Sequence, residues 1–112
     1  MNRILELHDL HDYYNEKYFG NKLLKITILI KKSSSSDGYY EYRARKDWRP
    51  MRRELHRASI TICEGCEFEG TLAHEMVHQY QTEILNVPPH HDHTFKSICR
   101  HIERREDIGL IR

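Results

Sequence analysis

No window of this sequence approaches the roughly 18 consecutive apolar residues that a membrane-spanning helix needs. The first residues, Met1 to Glu6, hold one basic side chain, Arg3, before acidic and histidine side chains follow. A signal peptide needs an uninterrupted apolar stretch there, so a cytoplasmic protein is the expectation. Cysteine is scarce: Cys63, Cys66 and Cys99. An odd, small number in a chain without a secretion signal argues against a disulfide scaffold. Charge of one sign is also lacking. The net charge is +1 although 31% of the residues are charged, and such a balance selects no class of partner. Internal repeats are absent.

Histidine is plentiful, with nine in the chain and most of them in its second half. The 112 residues fit one domain, 1–112. With a hydrophobic fraction of 38%, most apolar side chains must go into packing. Ile4, Leu7, Leu10 or His11, Tyr14 and Tyr18 recur at helical spacing and predict an amphipathic helix from Ile4 to Phe19. Gly20-Asn21 is its stop signal. Leu24 to Ile30 is rich in β-branched residues and predicts a strand. Ser33 to Gly38 is turn chemistry, and the alternation of Tyr40, Tyr42 and Ala44 with charged neighbours makes Tyr39 to Arg45 the returning strand of a hairpin. Lys46 to Arg57 reads as a loop and Ala58 to Cys63 as a third strand. Gly70 to Leu85 predicts a helix with an apolar stripe of Leu72, Ala73, Met76, Val77, Tyr80 and Ile84, ended by Asn86-Val87-Pro88-Pro89. Phe95, Ile98, Cys99 and Ile102 place a last helix at Asp92 to Arg105.

His74-Glu75-Met76-Val77-His78 is an HExxH sequence within the second of these helices, Gly70–Leu85. Residues four apart lie one turn on, so both histidines project from one face and can grip one ion. Glu75 lies close by on that face. A zinc ion lowers the pKa of water to about 7, and a carboxylate can then take its proton and pass it to a leaving amine. A chance match is a real risk in a chain this rich in His. The context argues against it, because Met76 and Val77 belong to the buried stripe and unpaired ionisable groups beside a core are costly. A catalytic zinc takes three protein ligands and keeps a fourth position open. His90, His91 and His93 are the candidates for the third, and spacing does not choose among them.

Gly70 to His78, followed by His91-Asp92-His93-Thr94-Phe95-Lys96, resembles the SprT-like (Spartan-type) metallopeptidase family. That pattern has an HExxH helix and then a histidine four residues before the aromatic that opens the next helix. The resemblance implies His91, paired with Phe95, as third ligand. His90 stands where the family has glycine, and Asp92 where it has a small residue, so His93 stays an alternative. Tyr14 to Phe19 with Leu23-Leu24, Gly38-Tyr39-Tyr40 and Ile60-Thr61-Ile62 are similar to the family's first helix and its strands. Members often add a C-terminal zinc ribbon, and none is expected here. The family's best-known branch implies proteolysis of DNA-associated proteins.

Cys63-Glu64-Gly65-Cys66 is a CxxC without a matching pair, and it reads as a strand end and turn. Glu64-Gly65-Cys66 is also similar to a motif of peptide deformylase, but the gap to His74 is too short and that family's first motif is absent. Cys99 reads as core. His8 and His11, beside Asp9 and Asp12, read as a solvated helix face. Arg43 to Arg57 carries Arg43, Arg45, Lys46, Arg49, Arg52, Arg53 and Arg57 against Asp47 and Glu54, with Tyr42 and Trp48 interleaved. Cations with aromatics are how single-stranded DNA is gripped, and a solvated loop is the bland alternative.

The expectation is therefore an α+β mini-zincin: an amphipathic N-terminal helix, a small three-stranded sheet packed on the HExxH helix, and one C-terminal helix. The expected activity is metallopeptidase, with one catalytic Zn2+ on His74, His78 and His91, Glu75 as general base and later acid, and a protein or peptide as substrate. The chain is expected to be monomeric, and Arg43–Arg57 is its candidate contact for single-stranded DNA, with a solvated loop as the other reading of that stretch. The rival reading is a zinc-containing nucleic-acid-binding or interaction module without catalysis, which would need a fourth protein ligand such as His93 or Cys66.

Overall fold

The computed structural model of the chain describes residues 3–32, 38–42, 58–108 and 111. Helix α1 spans Arg3–Tyr18 and buries Leu7, His11 and Tyr14 along one face. Gly20 and Asn21 both turn left-handed, at φ 61° and 60°, and the Asn21 amide closes on the Asn15 carbonyl. The first strand, β1, is Thr27–Lys31, so it starts later than the β-branched run suggests. The backbone before it is already occupied. Leu23 exchanges hydrogen bonds in both directions with the Asn15 side chain. The Leu24 amide donates to the Glu83 carboxylate, and its carbonyl accepts from Gln79. Those groups are not free to pair in a ladder.

Strands β2 (Gly38–Glu41) and β3 (Ser59–Cys63) complete a mixed sheet in the order β1-β3-β2. The expected hairpin is wrong: β3 lies between β1 and β2, parallel to the first and antiparallel to the second. The reason is burial. Ile60, Thr61, Ile62 and Cys63 are all buried, and a strand covered on both faces takes the centre of a sheet. In β1 only alternate residues turn inward, with Leu29 42% exposed, which suits an edge. Strand β2 ends at Glu41, one residue before exposed Tyr42; the rest of its expected continuation, to Arg45, and the Lys46–Arg57 loop lie outside the described residues.

Helix α2 spans Phe68–Tyr80. Leu72, Ala73, Met76 and Val77 are fully buried, as the apolar stripe predicts. The helix begins before Gly70 because the Glu67 side chain caps it, accepting from the amides of Glu69 and Gly70. It passes directly into a π-helical turn, Gln81–Leu85, which ends at left-handed Asn86. Helix α3 spans His93–Glu106, with Asp92 capping the Phe95 amide at 2.9 Å. Phe95, Cys99 and Ile102 face the core. Across the back of α2, His11 Nε2 lies 2.8 Å from the Gln79 carboxamide oxygen, with both residues buried. The reading of His11 as solvated is thereby corrected. This is an α+β fold with α2 at its centre. Among the described residues, no helix is long and apolar enough to cross a membrane.

Gly38 brings β2 close to α2. A Cβ there would stand 2.7 Å from the Thr61 carbonyl oxygen and 2.8 Å from Thr71 Cγ2. Tyr40 also bonds Thr82 at 2.6 Å, so the strand has little room to retreat. Gly38→Ala is expected to cost about 1–3 kcal/mol of stability, read from a denaturant titration.

Candidate metal centre

His74 and His78 stand one turn apart on α2, and His91 comes from the segment between the π-helical turn and α3. The structure brings these three together. His91 Nε2 is 3.2 Å from His74 Nε2 and 3.1 Å from His78 Nε2. The three histidines form a group that could hold a metal ion, with ligand atoms all within 4.8 Å of one another. Two nitrogens bound tetrahedrally to zinc at roughly 2.0–2.1 Å lie about 3.3–3.4 Å apart, so the spacing fits. The chemistry of the donors fits as well. Burial pushes the His74 imidazole down to about 4, with His78 and His91 adding to the effect. Burial also lowers His78. Both rings are therefore neutral near pH 7 and offer lone pairs rather than protons.

Glu75 is 4% exposed, and its carboxylate oxygen lies 3.9 Å from His74 Nε2. Burial pushes its pKa up to about 8, because a carboxylate charge loses its solvation there. Phe95 closes one side of the group. Its ring centroid is 4.9, 4.8 and 4.7 Å from those of His74, His78 and His91, and it stacks on His78. The i, i+4 spacing from His91 to Phe95 marked this residue, but only as a landmark.

The remaining candidates lie elsewhere. His90 directs Nδ1 to the Pro88 carbonyl at 2.6 Å and Nε2 to the Asp92 carboxylate at 2.9 Å. His93 is exposed at the start of α3. Neither belongs to the histidine group, and neither does Cys66. Cys63 is buried, and its carbonyl accepts from the Cys66 amide. Cys99 is fully buried, and burial pushes its thiol up to about 12, in keeping with a core side chain. Tyr80 is half-buried and packs its ring on Phe19. Arg43–Arg57 lies outside the described residues. One residue escaped the sequence reading altogether. Gln81, 1% exposed, bonds His78 Nδ1 at 2.9 Å. A polar residue after a helical motif carries no periodic signal that would single it out.

Compared with models of known protein families, residues 7–109 match the SprT-like family. Among curated proteins, none matches the chain.

Proposed function

Because the chain belongs to the SprT-like family, we propose that it is a zinc-dependent metallopeptidase with His74, His78 and His91 as ligands and Glu75 as general base and later acid. The observation that carries this reading is the convergence of three imidazole nitrogens beside a buried carboxyl group. Among the described residues, the group has no fourth His, Cys, Asp or Glu donor. That favours an open, catalytic arrangement over a closed, structural one.

When bound, zinc would supply Lewis acidity, polarising a peptide carbonyl and lowering the pKa of water to about 7. The chain's own residues supply the rest. His74 and His78 present neutral nitrogens from one rigid helix face. Phe95 keeps water from one side of the group. Glu75, held beside buried Met76, has a proton affinity suited to taking a proton near neutral pH and returning it to the leaving amine.

The metal-free protein holds a proton on Glu75 below about pH 8, while His74 is already neutral above about pH 4. A dication beside Glu75 favours its charged form. Adding Zn2+ at pH 7 is therefore expected to release about one proton. Calorimetry in buffers of different ionisation enthalpy counts it, and a count of zero would contradict the protonated Glu75.

The test of function is cleavage of an unfolded protein by the zinc-loaded chain, with and without chelator and single-stranded DNA. A zinc-loaded chain that cleaves nothing in any arm sinks the peptidase reading and leaves the binding module. A gain in cleavage with DNA, falling steeply with salt, supports DNA-associated substrates and contact through Arg43–Arg57. A flat salt response removes that contact.

A further inference from the structure

Gln81 opens the π-helical turn, and its buried carboxamide pairs with the backbone of His90. Its Nε2 donates to the His90 carbonyl at 2.9 Å, and its Oε1 accepts from the His90 amide at 3.1 Å. A side-chain amide paired with both the N–H and the C=O of one residue has a single workable orientation. Flipping it would set donor against donor and acceptor against acceptor. The oxygen is thereby assigned to the side on which His78 Nδ1 lies, 2.9 Å away. A carbonyl oxygen only accepts, so Nδ1 carries the proton and His78 Nε2 keeps its lone pair. That nitrogen is the one that lies 3.1 Å from His91 Nε2. His90, the residue clamped at both backbone groups, directly precedes His91.

The backbone of Gln81 serves the same return. Its carbonyl accepts from the amides of Asn86 and Val87, which closes the wide turn and starts the chain back toward α2. One residue thus touches the second histidine of the motif with its side chain and holds the segment that delivers the third.

We propose that Gln81 is a positioning residue for the metal centre: its single buried carboxamide selects the ligating tautomer of His78 and sets the placement of His91. Gln81 has this role only if the three histidines hold metal, as proposed above. Groups that orient metal ligands from behind typically contribute about 10–100-fold in metal affinity.

The test is Zn2+ affinity of the full chain, stripped of metal and titrated against a chromophoric chelator. Alongside it run the Co2+ absorption spectrum and the thermal midpoint of the metal-free protein. Gln81→Leu, similar in volume, is expected to lose about 10–100-fold in affinity and to alter the Co2+ spectrum. Gln81→Glu keeps an accepting oxygen at His78 Nδ1 and is expected to lose less. A Gln81→Leu protein with a lowered metal-free midpoint but unchanged affinity and spectrum has lost packing only, and that result overturns the proposal. If Gln81→Leu does not fold, Gln81→Asn takes its place, since it is too short to reach both partners; wild-type affinity in that variant also overturns it. Unsubstituted protein that binds Zn2+ no tighter than about 1 μM removes the metal-centre reading itself, and the role of Gln81 with it.

Discussion

Glu75→Gln is expected to lower peptide hydrolysis by about 10²–10⁴-fold while leaving zinc binding and the fold in place. The amide matches the carboxyl in shape and cannot carry the proton. Zinc content should be unchanged, because Glu75 is not in the histidine group. The same substitution has a second expected effect, of opposite sign, on the metal-free protein. Glu75 has a folded pKa of about 8 against an ordinary value of 4.5, so the folded state favours its neutral form. That contribution to stability is fully present below about pH 4.5 and is lost as the pH rises through about 8. Glutamine never ionises and escapes the loss. Denaturant titrations of the metal-free proteins at pH 5 and pH 8 should show the variant gaining on the wild type as the pH rises. A variant that is equally stable at both pH values relative to wild type would mean that Glu75 is not held neutral by burial. A carboxyl that weakens its own fold is the expected result of placing it against a core.

Much of the fold was legible because its signals are local. The apolar stripes of α2 and α3 follow from spacing within one or two turns, and both elements lie close to where the sequence places them. Partnership was less legible. Alternation in Tyr39 to Glu41 tells which side chains share a face, but it does not name the neighbouring strand. The hairpin therefore gave way to a sheet with β3 at its centre. His11 looked solvated because polarity is visible in a sequence and a partner is not. Its partner, Gln79, lies 68 residues on. The start of α2 was missed for a related reason, since a glutamate such as Glu67 is an uncommon N-cap beside Ser, Thr, Asp and Asn. In the candidate site, the pairing of His74 with His78 needed only helix geometry. The π-helical turn and the Gln81 clamp were invisible because a wide turn breaks the 3.6-residue period by which helices are read.

The third histidine is where the site could not be read from spacing, and substitution there separates the readings most sharply. His91→Ala is expected to weaken Zn2+ binding by well over the roughly 100-fold that supporting residues contribute, and to remove hydrolysis with it. His93→Ala, His90→Ala and Cys66→Ala are expected to leave affinity almost unchanged. His91 is carried by a segment fixed at two points, the Asp92 cap on Phe95 and the Gln81 clamp on His90. Neither anchor depends on the imidazole, so the variant should fold and the loss should report the lost donor. A large loss in Cys66→Ala or His93→Ala as well would mean that a fourth protein donor closes the site when metal enters. A closed site has no place for a substrate or for water, and the rival reading of a non-catalytic zinc module would then stand. A loss confined to His74, His78 and His91 leaves the fourth position open, as hydrolysis at Glu75 requires.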